Sequence, residues 1–205
     1  MKTNKKFAKI FLVRHGEVKN PKNIIYGYLP LPLNPKGKAQ ARQAGRFLKK
    51  QNIATIFTSP MKRAQETAEI IKKVLGGKIK IITDKNLRET GLGHLREGLT
   101  KEEAARKYPQ AHLFYTRTPT KVKTGESFTH QAERMLKAID NGIKNHSGQN
   151  LFFISHRDPI LAALLKIAKR SFNDLHKVKA ICDKGSVCEV WSVGKRLISK
   201  TYLAP

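Results

Sequence analysis

Cysteines and long apolar runs are both scarce in this sequence. Two cysteines among 205 residues, Cys182 and Cys188, cannot form the disulfide framework of a small secreted protein, so we expect free thiols. The apolar stretch near the start is interrupted by Lys9 and Arg14, and no small-residue cleavage site follows it, which disfavours a signal peptide. No other run approaches the ~20 apolar residues of a membrane helix. The sequence therefore predicts a cytoplasmic protein that does not enter a membrane.

Acidic residues are scarce as well. The 15 Asp and Glu residues face 41 Lys and Arg residues, which gives a net charge of +26 at pH 7 with neutral histidines. Such an excess attracts nucleic acids, anionic lipids or phosphorylated metabolites without selecting among them. Aromatic residues make up only 7% of the chain and are not interleaved with the basic runs, so no array for stacking nucleic-acid bases is predicted.

Motifs for metals and nucleotides are missing or incomplete. His176 precedes the two cysteines, but the spacing is loose and a fourth zinc ligand is lacking. The glycines of residues 76–78 and 91–93 lack the other residues of a P-loop and of a dinucleotide-binding motif. We therefore expect no metal and no cofactor.

Apolar, strand-like runs alternate with helical patterns along most of the chain. This alternation is typical of an α/β fold with a largely parallel sheet, and 205 residues with 40% hydrophobic content suit a single domain over residues 1–205. A turn at Gly194-Lys195 predicts a closing hairpin over Ser186–Leu203. The predicted strands are 9–14, 54–58, 79–82 and 150–154, and the clearest predicted helices are 35–51, 60–75 and 128–143.

Several helix starts carry capping signals, and one connection is unusually long. The signals are Thr100 with Glu103 as a capping box, Ser59 before Pro60, and Asp158 before Pro159. The long connection is basic and runs over Pro109–Gly125. Because long connections in compact domains are often functional, residues 99–126 are a candidate substrate cover.

Two of the predicted strands end in a triplet that contains histidine. Arg14-His15-Gly16 follows the first strand, and Ser155-His156-Arg157 follows the fourth. Since ligands of open α/β sheets bind at the carboxyl ends of the strands, both imidazoles are predicted to reach the same edge. A lone histidine at a strand end is usually structural, but the pair together with Arg14 favours a functional site.

Arg63 is predicted in the first turn of the helix after the second strand, which brings it near the same edge. In so basic a protein it could equally be a solvated arginine. Two guanidinium groups and two imidazoles nevertheless suit a phosphoryl dianion, because arginine binds phosphate oxygens bidentately. A neutral imidazole is also a competent nucleophile toward phosphorus. These residues therefore predict phosphoryl transfer through a phosphohistidine.

Cleavage of a phosphate ester needs a proton for the leaving oxygen. Glu89 and Glu97 are the candidate donors, because they lie where a loop can bring them to this edge. Both follow an arginine, and a surface ion pair with that neighbour is the alternative role. The residues by themselves leave the choice between the two glutamates open.

A series of motifs in this order resembles the histidine phosphatase superfamily, which includes the cofactor-dependent phosphoglycerate mutases. The resemblance spans residues 10 to about 190. The motifs are Arg14-His15-Gly16-Glu17, Tyr26-Gly27, Pro32–Gly37 with Gln40-Ala41, Ser59–Thr67, Leu87–Glu89, Glu97-Gly98, Gly125–Ser127 and Ser155-His156.

The resemblance implies a role for each matching residue. His15 is the expected phosphorylated nucleophile, and Arg14, Arg63 and His156 are expected to hold the phosphate oxygens. Glu89, which matches the family's acid after the third strand, is expected to protonate the leaving group and then activate water. The implied fold is a three-layer α/β/α sandwich with one mixed, mostly parallel sheet, and the implied catalytic step needs no metal.

The sequence departs from the family pattern at several positions near the expected site. Val18 stands where many members have Thr or Ser, and Asn20 falls one residue early, although it remains a candidate phosphate contact. The second histidine is followed by Arg157-Asp158-Pro159 instead of two glycines, so Arg157 is either a further phosphate-binding cation or a surface residue. The tryptophan common before the Glu-Gly pair is absent, with Leu95 and Arg96 there instead.

The leading hypothesis is a metal-independent phosphomonoesterase acting on a phosphorylated small molecule. A phosphoglycerate mutase is the alternative, because the chain resembles those enzymes. The chain is shorter than they typically are, which favours the phosphatase. A nucleic-acid-binding protein with a vestigial pocket is a further alternative. A complete set of pocket residues argues against it, since a pure binder needs no proton donor beside a phosphate.

Overall fold

The computed structural model describes residues 9–92, 96–109, 125–176, 182–193 and 196–202. Short 3₁₀ helices span Lys49–Gln51, Lys85–Leu87 and Phe172–His176. The strands are β1 (Lys9–Arg14), β2 (Ile53–Thr58), β3 (Lys80–Thr83), β4 (Asn150–Ser155), β5 (Val187–Val193) and β6 (Arg196–Tyr202). The α-helices are α1 (Pro35–Leu48), α2 (Lys62–Leu75), α3 (Lys101–Lys107), α4 (Phe128–Asn145) and α5 (Arg157–Ile167).

The strands form one mixed sheet in the order β3-β2-β4-β1-β5-β6. The pairs β3–β2, β2–β4 and β4–β1 are parallel, whereas β5 and β6 add an antiparallel edge. In the central pair Arg14 lies opposite Ser155. The next residue of each strand, His15 and His156, therefore emerges at the same edge of the sheet, as the sequence predicts.

Helices cover both faces of the sheet. Successive residues of β1 point to opposite faces, because side chains alternate along a strand. Ile10 and Leu12 pack in one buried cluster with residues of α4 and α5, whereas Phe11 and Val13 pack in a second cluster with residues of α1 and α2. The expected three-layer α/β/α sandwich is therefore confirmed, and burial on both faces explains why the central strands are continuously apolar.

The predicted starts of α2 and α5 are wrong. Helix α2 begins at Lys62 and has no side-chain cap, because the Ser59 hydroxyl lies in the preceding turn, where it accepts from the Met61 N–H at 3.2 Å and shares a hydrogen bond with His156. Helix α5 begins at Arg157, with His156 rather than Asp158 in the cap position. The Asp158 carboxylate lies in the first turn and pairs with Arg157 at 3.3 Å.

Other sequence predictions are confirmed or fall outside the described residues. The capping box of Thr100 and Glu103 is present at the start of α3. The C-terminal hairpin is present as β5 and β6, although its turn at Gly194-Lys195 is outside the described part. Residues 110–124, the centre of the candidate substrate cover, are also outside it, so that assignment stays a prediction. Within the described ranges, no helix combines the length and apolarity that crossing a membrane requires.

Candidate active site

The two strand-end histidines lie side by side. The ring centroids of His15 and His156 are 5.0 Å apart, with an angle of 60° between the ring planes. Both rings are completely buried. Arg14, which precedes His15, and Glu89, which lies 3.5 Å from His156, line a cleft of about 580 Å³.

The hydrogen bonds of His15 define its tautomer. Its Nδ1 lies 2.7 Å from the carbonyl oxygen of Gly16, and the Nε of Arg63 donates to its Nε2 at 3.2 Å. Nδ1 therefore carries the proton, and Nε2 presents a lone pair. Burial first, and then the charges of Arg63 and Arg14, hold the pKa of His15 well below its ordinary value. A neutral imidazole with a lone pair on Nε2 is chemically able to act as a nucleophile.

Arg63 enters the site from the first turn of α2 and is fully buried. Its Nη2 donates to the carbonyl oxygen of Gly27 at 2.7 Å, and its Nη1 donates to that of Leu29 at 3.3 Å. The guanidinium also lies 4.8 Å from the centroid of the Tyr26 ring. These contacts fix a desolvated positive charge beside His15, where it is much stronger than in water.

His156 is held by Ser59, which follows β2, and by Glu89, which follows the 3₁₀ helix after β3. Its Nε2 and the Ser59 hydroxyl share a hydrogen bond of 2.8 Å, and its Nδ1 lies 3.5 Å from Oε2 of Glu89. Burial and the nearby charge of Arg63 keep the pKa of His156 well below its ordinary value, so this ring is neutral as well.

The structure brings Glu89, rather than Glu97, to the histidines. Its Oε1 accepts a hydrogen bond of 2.9 Å from the Thr90 N–H, and its Oε2 lies 3.8 Å from Nη2 of Arg63. Burial and the charge of Asp158 raise the pKa of Glu89, which favours the protonated acid. Since its side chain is still 15% exposed at the cleft, this acid is placed to exchange a proton with a bound molecule.

Glu97 has a structural contact instead. Its Oε1 accepts a hydrogen bond of 2.7 Å from the Tyr28 N–H, and its side chain fills the space beside Gly27, where a Cβ atom would collide with it. Glu97 thus supports the loop whose carbonyl groups accept from Arg63.

Two buried polar atoms of the site have no hydrogen-bond partner within the described ranges. They are Nε of Arg14 and Nδ1 of His156. The other end of the Arg14 side chain is fixed, because its Nη1 donates to the carbonyl oxygen of Cys182 at 2.8 Å. Buried polar atoms without partners are costly, and Nε of Arg14 is a charged donor, so it favours a ligand that supplies an oxygen.

Asn20 and Arg157 both line the cleft, but their side chains have different partners. The Asn20 amide oxygen accepts from the Ile24 N–H at 3.1 Å, and its nitrogen donates to the Ile24 carbonyl at 2.8 Å. Asn20 therefore braces its own loop. The Arg157 side chain is 38% exposed and pairs with Asp158, so it is a rim cation.

Sequence reasoning missed residues that support the nucleophile from behind. The Thr67 hydroxyl accepts a hydrogen bond of 3.2 Å from the Gly16 N–H and donates to the Arg63 carbonyl at 2.7 Å. Gly37 lies so close to Glu17 that a Cβ atom there would collide with the Glu17 carbonyl oxygen. Both residues belong to the family motifs, but the sequence by itself does not show that they contact the loop after β1.

Ligand-type atoms of His15, Glu89 and His156 lie within 4.8 Å of one another, which is close enough to surround a metal ion. The charges around these residues, however, favour an anion in this position. Arg63 is desolvated beside these residues, and its charge together with that of Arg14 lowers the pKa of both histidines. The site is therefore better suited to an anion than to a cation.

Comparisons with known proteins find relatives that align with most of this chain. Phosphoglycerate mutase-like protein 4 of Arabidopsis thaliana is 34% identical over 177 residues, covering 84% of this chain and 76% of the relative. The metal-independent phosphoserine phosphatase of Arabidopsis thaliana is 29% identical over 213 aligned residues, covering 99% of this chain and 89% of the relative. Other relatives are bacterial 2,3-bisphosphoglycerate-dependent phosphoglycerate mutases.

A solved structure and a family model give the same result. YhfR of Bacillus stearothermophilus has a TM-score of 0.87 and 28% sequence identity, and the match covers 95% of this chain and 96% of that one. The model of the histidine phosphatase superfamily (branch 1) matches residues 10–201. The chain belongs to the histidine phosphatase superfamily.

Proposed function

We propose that this protein is a metal-independent phosphomonoesterase that forms a phosphohistidine on His15. The observation that carries the proposal is the neutral His15 ring, whose Nε2 accepts a hydrogen bond from the buried Arg63 guanidinium and which lies close to the proton-donor candidate Glu89. The site offers cations for the phosphate and an acid for the leaving group within one cleft.

In the first step, the phosphoryl group binds among Arg14, Arg63 and His156. The Arg63 Nε gives up its hydrogen bond with Nε2 and donates to a phosphate oxygen instead. Nε2 of His15 then forms a bond to phosphorus as the ester P–O bond breaks. Glu89 transfers its proton to the leaving oxygen, so an alcohol departs and the carboxylate remains.

In the second step, water replaces the alcohol. The Glu89 carboxylate takes a proton from the water as its oxygen attacks phosphorus, and the P–N bond to His15 breaks. Inorganic phosphate leaves, and both the neutral ring and the protonated acid are restored. The guanidinium groups offset the charge on the phosphoryl oxygens in both steps, which is the electrostatic part of the catalysis.

The substrates we propose are phosphorylated small molecules. A cleft of about 580 Å³ accommodates a metabolite-sized ester. The relative named a metal-independent phosphoserine phosphatase, which aligns with 99% of this chain, supports hydrolysis as the outcome.

A phosphoglycerate mutase is the second candidate, because relatives carrying that name align with most of the chain. The two functions share the phosphohistidine and differ in what accepts the phosphoryl group. Incubation with 3-phosphoglycerate and catalytic 2,3-bisphosphoglycerate separates them. We expect release of inorganic phosphate, and formation of 2-phosphoglycerate faster than phosphate release would contradict hydrolysis as the main activity.

The His15→Ala variant tests the nucleophile. Its kcat/KM for nitrophenyl phosphate, measured in excess chelator, is expected to fall by about 10⁴-fold or more, because covalent catalysis loses its attacking atom. The wild-type protein is expected to keep its activity in the same chelator. Turnover by the variant at the wild-type rate would reject the mechanism, and loss of wild-type activity on chelation would reject metal independence.

Glu89→Gln tests the proton donor, with Glu97→Gln as the matched control. On alkyl phosphates, kcat/KM of Glu89→Gln is expected to fall about 10²- to 10⁴-fold, with a much smaller loss on dinitrophenyl phosphate, whose leaving group needs no proton. Glu97→Gln is expected to affect both esters equally.

The pH dependence of kcat/KM is a second test of Glu89 as the proton donor. The acid form of Glu89 is lost as pH rises through its raised pKa, so wild-type kcat/KM on alkyl phosphates is expected to decline there. Glutamine does not titrate, and the decline is expected to disappear in Glu89→Gln. Equal losses on both esters, or an unchanged alkaline limb, would show that another group supplies the proton.

A further inference from the structure

We infer that Arg134 and Glu126 are positioning residues for the proton donor Glu89. They act through the backbone of the segment 86–91. This inference rests on the proposed role of Glu89 and extends it to a buried ion pair on the far side of that segment.

The segment that carries Glu89 is not held by secondary structure of its own. A short 3₁₀ helix ends at Leu87, and residues 88–92 belong to neither a helix nor a strand. Its backbone polar groups are partly buried, and such groups need partners from elsewhere in the fold. The position of the Glu89 carboxyl depends on those partners.

Arg134 supplies most of them. Its side chain lies in α4 and is 5% exposed. Its Nη1 donates to the carbonyl oxygens of Asn86 at 2.6 Å and Arg88 at 2.7 Å, and its Nη2 donates to that of Glu89 at 3.2 Å. The remaining donors go to Glu126, from Nε at 2.6 Å and from Nη2 at 2.8 Å. All five N–H donors of the guanidinium are therefore used, which a lysine cannot reproduce.

Glu126 holds both the arginine and the far end of the segment. Its two carboxylate oxygens accept the bidentate pair from Arg134, and Oε2 also accepts from the Gly91 N–H at 3.2 Å. The Glu126 N–H donates to the Gly91 carbonyl at 2.7 Å. The exposed His130 contacts Oε1 from outside at 2.7 Å. Glu126 and Arg134 thus fix the segment on both sides of Glu89.

A buried ion pair is a poor way to gain stability, because desolvation of both charges offsets their attraction. The geometry indicates a different benefit. The Glu89 carboxyl lies 3.5 Å from Nδ1 of His156, and a displacement of a catalytic group by about 1 Å lowers the reaction rate on the order of 100-fold. One rigid guanidinium binds three carbonyl groups of the segment and so restricts movement of Glu89.

Arg134→Lys is the central variant, because it keeps the positive charge and loses the five-donor fork. We expect kcat/KM on alkyl phosphates to fall about 10- to 100-fold and kcat/KM on dinitrophenyl phosphate to change less than about threefold. Lys137→Gln removes an exposed charge from the same helix and is expected to leave both values unchanged. Competitive inhibition by inorganic phosphate is expected to stay at the wild-type level in both variants.

A double-mutant cycle separates positioning from a general structural effect. If Arg134 acts through Glu89, adding Arg134→Lys to Glu89→Gln has little further effect on alkyl phosphates, less than about twofold. If the two losses multiply, or if Arg134→Lys slows both esters equally, the inference is overturned. Glu126→Gln is expected to lose kcat/KM on alkyl phosphates but not on dinitrophenyl phosphate, as Arg134→Lys does. Its thermal unfolding is expected to stay as cooperative as that of the wild-type protein.

If no phosphate ester is hydrolysed, the proposed function is contradicted but the inference about Arg134 is not. Measurements that need no turnover test the inference separately. The pKa of Glu89, followed by carboxyl ¹³C NMR, is expected to move from its raised value toward the ordinary one in Arg134→Lys, because a loosened segment exposes the carboxyl to water. Exchange of the Gly91 amide hydrogen is expected to accelerate in the same variant. An unchanged Glu89 pKa together with unchanged exchange would overturn the inference.

Discussion

The parallel pairing of β1 with β4 is the constraint on which the site depends. This register puts Arg14 opposite Ser155, so the next residues, His15 and His156, leave the sheet together. Both strands are buried on both faces, so a slip in register would repack the core on each side of the sheet as well as separate the imidazoles. Helix α2 then adds Arg63 from the neighbouring strand connection, and its Nε meets Nε2 of His15.

Burial has opposite effects on the ionisable groups of this edge. It lowers the pKa of both histidines and raises the pKa of Glu89, so all three groups favour their neutral forms. The guanidinium groups of Arg14 and Arg63 lie beside them. The result is a neutral imidazole and a carboxyl group with an increased affinity for its proton in a positive environment, which suits the proposed attack at phosphorus and departure of an alcohol.

The fold and the pair of histidines could be predicted because strand ends and apolar runs are local signals. The choice between Glu89 and Glu97 could not be made from these signals, since both follow an arginine in a segment without periodicity, and the contacts that separate them are with His156 and Tyr28. The predicted cap of α2 is wrong for a similar reason, because the Ser59 hydroxyl binds the Met61 N–H before the helix and a histidine that is distant in the sequence. The role of Arg134 was equally hidden, since a helical arginine in a basic protein is normally solvated.

The most direct test of this account is to stop the reaction of the wild-type protein with nitrophenyl phosphate within milliseconds and to map the phosphoryl group. Alkaline quenching preserves phosphohistidine, peptide mass spectrometry locates it, and ³¹P NMR distinguishes the two ring nitrogens. We predict one phosphoryl group per chain, on Nε2 of His15. A phosphoryl group on another residue or on Nδ1, or turnover with no phosphorylated protein at any time, would contradict the account.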